Sequence, residues 1–196
     1  MTDLARQGKF APLVGYESYV ARIFQILLRQ TNHKYNPLLL DSNQQRRLQV
    51  VSEVARQMAT GDAPAPLSTW QVIALNYEAL LASPLELPDN SFSDELQDKE
   101  PAREPNLALQ ALFLALHEAE GHIVLFVDHF HWLLGGERQR FPMDGAGLLV
   151  PALARREIQM VGACTFSHYQ EHIERFAAIE RRFQTVILQL DQENDV

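Results

Sequence analysis

Asn36-Pro37-Leu38-Leu39-Leu40-Asp41-Ser42-Asn43 reads as a short buried strand running into a polar turn. Beyond it, Leu48, Val51, Val54, Ala55 and Met58 recur at helical spacing, and Asp41, Ser42 and Asn43 offer side chains to cap that helix. Strand, tight turn and helix in this order make one α/β unit, and the pattern repeats on both sides. Upstream, Tyr16 to Gln30 places Val20, Ile23, Phe24, Leu27 and Leu28 on one face of an amphipathic helix. Downstream, Trp70 to Leu75, Ile123 to Asp128, Ile158 to Ala163 and Thr185 to Leu190 are four more strand candidates. Helical patterns at Leu107 to Glu120, Ala146 to Arg155 and Tyr169 to Arg175 alternate with them. Alternation of this kind predicts an α/β fold with a mostly parallel five-stranded sheet and helices on both faces. In such sheets a ligand crevice opens at the carboxyl ends of the strands.

The 196 residues fit one domain, with residues 1–8 as an N-terminal tail and 83–105 as a flexible insertion. That insertion is acidic and proline-rich, and it lacks the apolar groups needed to offset the entropy of ordering. The net charge of -8 argues against a chain whose task is to neutralise nucleic-acid phosphates. The longest apolar runs fall well short of the roughly 20 residues of a membrane helix. The N-terminus has no apolar core of the signal-peptide kind, so the expected location is cytoplasmic. A lone cysteine, Cys164, excludes an internal disulfide and a cysteine-based zinc cluster.

Several stretches together resemble the Clp/ClpB chaperone ATPases of the AAA+ class, specifically the large α/β subdomain of their first nucleotide-binding module. Pro12-Leu13-Val14-Gly15 is similar to the family's P-V-I-G-R, with Tyr16 in place of the arginine. Asn36 to Leu40 resembles the strand before the phosphate-binding loop, which makes Asp41 to Leu48 the counterpart of G-x-x-x-x-G-K-[ST]. In that motif glycines let backbone N–H groups wrap the phosphates, lysine neutralises them and a hydroxyl holds Mg²⁺. Asp41, Arg46, Arg47 and Leu48 stand at those places here. Ile123 to His131 resembles the Walker B strand, where the family reads D-E-x-H. The resemblance implies a magnesium-assisting role for Asp128 and puts His129 where a glutamate would activate water. Ala146 to Arg155 is similar to N-x-L-K-P-A-L-A-R. Val161-Gly162-Ala163-Cys164-Thr165 is similar to V-G-A-T-T and makes Thr165 a sensor candidate. Glu180-Arg181-Arg182-Phe183-Gln184 matches E-R-R-F-Q, so Arg181 and Arg182 are arginine-finger candidates facing a neighbouring subunit.

Asp128, His129 and His131 are all metal-ligand types, but alternation along a continuing strand sends both histidines to one side and the aspartate to the other. The residues that bind phosphate, ligate metal and activate water are altered, while core segments and Glu180 to Gln184 persist. The expectation is therefore a catalytically degenerate AAA+ domain, a pseudo-ATPase without the helical lid. It would use no cofactor and act as a structural or regulatory partner in a Clp-type assembly or a homo-oligomer. Two alternatives stand beside it. One is a weak ATP-binding protein or ATPase that holds ATP and Mg²⁺ through Arg47, Asp128 and Thr165. The other is a protein-binding module built on residues 83–105.

Overall fold

The computed structural model describes residues 1–29, 34–82, 105–119, 122–136 and 145–188. Its five strands are β1 (Asn36–Leu40), β2 (Gln71–Ala74), β3 (Ile123–Val127), β4 (Gln159–Cys164) and β5 (Phe183–Ile187). They form one sheet in the order β2-β3-β4-β1-β5, and all four pairings are parallel. β1 lies between β4 and β5, with Leu40 opposite both Cys164 and Ile187. The predicted fold class is thus the observed one.

Residues of period two sort the core into two layers. Leu39, Val124, Phe126, Val161 and Ala163 face α2 (Glu17–Leu27) and α3 (Gln44–Thr60), whose Ile23, Phe24, Val50, Val51, Val54 and Met58 are buried against them. Leu38, Leu40, Leu125, Val127, Met160 and Cys164 face the other way. There they meet Leu109, Phe113 and Leu116 of α5 (Pro105–Glu118), and Leu149 and Leu153 of α6 (Ala146–Ala154). Each such aliphatic or aromatic side chain contributes roughly 1.5–3 kcal/mol by leaving water. Phe130, fully buried in a 3-10 turn after β3 (Phe130–Leu134), lies over Gly162. A Cβ at Gly162 would come within 2.8 Å of Leu38 and 3.3 Å of Phe130, so glycine lets the turn close onto the sheet.

Three local expectations change. Residues 1–8 contain a helix, α1 (Thr2–Arg6), in place of a tail. The Thr2 hydroxyl accepts the Val72 N–H at 2.6 Å, covering part of the outer edge of β2. Tyr169 to Arg175 is not a simple α-helix: a short α7 (Phe166–His168) runs into a π turn (Tyr169–Ile173), with α8 (Ala177–Glu180) following. The strand at 123–128 ends at Val127. A short helix, α4 (Tyr77–Ala82), follows β2, and the insertion expected at 83–105 lies outside the described residues except for Pro105, which starts α5.

Candidate functional site at the carboxyl ends of the strands

β1 delivers Asp41, β3 delivers Asp128 and β4 delivers Thr165, so the three strand-end residues singled out from sequence all come to the carboxyl side of the sheet. α3 starts there too. Asn43 caps it, its side-chain oxygen accepting the Arg46 N–H at 3.2 Å. Two positions earlier in the turn, Asp41 accepts the Asn43 N–H at 2.8 Å on Oδ1 and pairs through Oδ2 with the Arg46 guanidinium at 3.0 Å. The turn before the helix therefore holds an anion supplied by the chain itself, and Arg46 neutralises it.

Arg47 turns inward and is only 1% exposed. Its Nη1 donates to the Asp41 carbonyl at 2.6 Å, and its Nε donates to Asp128 Oδ1 at 2.9 Å. The other oxygen of Asp128 accepts from the Gln44 amide at 2.9 Å. Gln44 Nε2 also lies 3.3 Å from His129 Nε2. Both oxygens of the one carboxylate expected to assist a metal are thus engaged by nitrogen donors of α3. Leu48, on the same helix, presents no oxygen to a cation.

His129 departs from strand geometry. Its φ of 51° is left-handed, which turns the chain sharply after Asp128 and invalidates the alternation expected through His131. The imidazole stacks on Trp132 with centroids 4.2 Å apart, and the backbone carbonyl accepts the Tyr77 hydroxyl at 3.2 Å. Burial, with the nearby Asp128 charge, raises the Tyr77 phenol well above its ordinary value, so it remains a donor. Between α3, α4 and this turn lies an open cleft of about 350 Å³ lined by Gln44, Leu48, Tyr77, Asp128, His129 and Trp132. Gln44, Tyr77 and Trp132 were not among the sequence candidates. Only Gln44 carried a signal, as the first helical residue beyond a capped strand-end turn.

Thr165 is committed locally: its hydroxyl accepts the His168 N–H at 3.2 Å and caps α7. Arg181 and Arg182 stand apart from this cluster. They precede β5 and so lie at the amino ends of the strands, where the Arg182 carbonyl accepts from the side-chain amide of Asn36 at 3.3 Å. Arg181 is exposed and Arg182 half-buried. The structure does not bring them to Asp128. At the sheet's near end, the Pro12 to Gly15 stretch is tied to α3 by the Leu13 N–H, which donates to Glu53 at 3.3 Å, and leaves Val14 83% exposed.

A tight turn from β1 into a capped helix, with an aspartate at the end of β3 in a parallel five-stranded sheet, is the layout of a P-loop-like fold. Comparison with known proteins agrees. The chain is 34% identical over 186 residues to the chaperone protein ClpB of Gloeobacter violaceus, covering 95% of this chain and 19% of that one. It is 33% identical over 192 residues to ClpB of Bacteroides thetaiotaomicron, covering 98% and 20%. The chain is homologous to a ClpB-type AAA+ nucleotide-binding module. It spans about a fifth of the length of these ClpB relatives. No family model matches. Among solved structures, the Saccharomyces cerevisiae Hsp104–ADP complex superposes with a TM-score of 0.74 at 26% identity, covering 96% of this chain and 24% of Hsp104. A closed state of Hsp104 with ATPγS and FITC casein gives 0.73, again at 26% identity, with 96% and 29% covered. Among the described residues no helix is long and apolar enough to cross a membrane, and no group of His, Cys, Asp and Glu is arranged to hold a metal ion.

Proposed function

We propose that this ClpB-like domain is a pseudo-ATPase whose folded state does not depend on nucleotide, and that it serves as a structural or regulatory partner in a Clp-type assembly. The observation that carries the reading is Arg47, buried between the Asp41 carbonyl and the Asp128 carboxylate. In a working phosphate loop a cation meets phosphate at the helix start and the Walker B aspartate stays open to magnesium. Here the helix start already has an anion in Asp41, and Asp128 already has a cation in Arg47. The site is electrostatically closed on itself. Magnesium would have to displace a guanidinium bonded at two points, and Leu48 offers no oxygen in exchange.

Partner binding draws its support from the other end of the sheet. Arg181 and Arg182 hold the place of the family's arginine finger, remote from this chain's own Asp128. That placement suits a head-to-tail contact in which one molecule presents its amino-end arginines to the next. Titration calorimetry with ATP and with ADP, each with and without Mg²⁺, tests the first half of the reading. The expected result is no binding at millimolar nucleotide; micromolar binding that is lost in Asp128→Ala would overturn it and favour a weak ATP-binding protein. Co-purification with a full-length ClpB chaperone tests the second half, and a chain that remains monomeric and unbound would remove its support.

A further inference from the structure

A second polar cluster lies behind the strand ends. His131, in the turn after β3, is 1% exposed. Its ring stacks on His168 of α7 with centroids 3.8 Å apart and planes 23° from parallel. His172, on the following π turn, lies 5.5 Å away and is also stacked on His131. The Nδ1 atoms of His131 and His168 are both buried, and neither has a hydrogen-bond partner among the described residues. Face-to-face rings cannot aim their in-plane lone pairs at one ion, which removes a metal site from consideration. Gly136 makes room for the stack: a Cβ there would lie 2.8 Å from the His131 ring.

We infer that His131, His168 and His172 form an acid-released clasp joining the turn after β3 to the segment after β4. The inference goes beyond the nucleotide question and does not depend on it. The two joined stretches are the ones that hold His129 and Thr165, so release of the clasp loosens two strand-end loops of the site together. The groups facing His131 are uniformly unfavourable to a proton. They are His168 on α7, His172 on the π turn, His129 on its own turn, and the buried Arg47 on α3. The nearby carboxylates act on its neighbours instead: Glu171 lies 3.7 Å from His172 Nε2, and Asp128 lies 3.7 Å from His129 Nε2 and bonds Arg47.

Burial, reinforced by those four neighbours, pushes the His131 imidazole down to about 3 in the closed form. In an opened form it regains an ordinary value near 6.5. Above that pH the ring is neutral in both forms and the clasp is unaffected. Below it only the opened form takes a proton, so opening becomes easier as pH falls, by about tenfold between pH 7.5 and pH 5.5 for this one ring.

The test is amide hydrogen exchange of the intact chain at pH 7.5 and 5.5, corrected for intrinsic exchange chemistry. Protection across residues 129–136 and 166–174 should fall about tenfold at the lower pH while α2 keeps its protection. In His131→Phe, or in His131→Asn should the first fold poorly, that local fall should vanish. Unchanged protection in the wild type, a fall shared equally by α2, or a local fall that persists in either variant would each overturn the inference.

Discussion

Arg47 ties the start of α3 to two strand ends. A lysine at this place is a compact point charge, whereas the guanidinium is a planar fork able to bond a carbonyl and a carboxylate at once. Removing it leaves the Asp41 carbonyl and half of Asp128 without their donor. Arg47→Met should therefore lower stability by about 3 kcal/mol in urea unfolding. The double variant Arg47→Met with Asp128→Leu should lose less than the single one, because no carboxylate is then stranded. An additive double variant would show that the pair is not coupled. Asn43 is a smaller case. Asn43→Ala removes the acceptor of the Arg46 N–H and should cost about 1 kcal/mol, whereas Asn43→Asp should be close to neutral.

At the scale of elements, the sheet is pinned at the amino end of β1. Its first residue, Asn36, is fully buried, and its side chain bridges the neighbouring strands. Oδ1 accepts the Met160 N–H at 2.9 Å and Nδ2 donates to the Arg182 carbonyl. Asn36→Leu should cost about 1–3 kcal/mol, since it strands the buried Met160 N–H, whereas the Arg182 carbonyl keeps the backbone N–H of residue 36 at 3.4 Å. Gly162 governs the other layer. Gly162→Ala drives a methyl into Leu38 and Phe130 and should lower the urea midpoint by an amount equivalent to about 1–3 kcal/mol. Because Phe130 belongs to the turn that carries His129, the same substitution should also raise amide exchange in that turn more than in α3.

For the whole molecule, the two groups of candidate residues are spatially separate. The closed polar cluster occupies the carboxyl ends and the paired arginines the amino ends, so they can be altered independently. Arg181 is exposed, and Arg181→Ala should change stability by no more than about 0.5 kcal/mol. If the amino end is a docking face, the same variant should weaken association with a ClpB partner, read as a shift in sedimentation of the mixture. An unchanged complex would assign Arg181 to solvent alone. Acidic residues dominate the chain, yet Arg29, Arg155, Arg156, Arg181 and Arg182 flank the amino ends of the strands, and Arg156 lies 4.5 Å over the Tyr35 ring. Any association through this face should therefore weaken as salt is raised.

Period-two and period-3.6 patterns sufficed to read five strands, their parallel arrangement and the two helical layers, because those patterns follow directly from which side chains must leave water. Asp41, Arg47, Asp128 and Thr165 were legible as strand-end and loop residues for the same reason: position along a βα unit dictates which end of the sheet a side chain reaches. Their partners were not legible. Gln44 meets His129, Tyr77 meets the His129 carbonyl, and His131 meets His168 across separations in sequence that only the strand order closes. The left-handed turn at His129 had no glycine or asparagine to announce it. It moved both histidines away from the positions that strand alternation assigns. Residue types and spacing determined which charged side chains reach the carboxyl ends of the strands; the tertiary structure decided which of them pair, because pairing a buried charge depends on which opposite charge the fold brings within 3 Å.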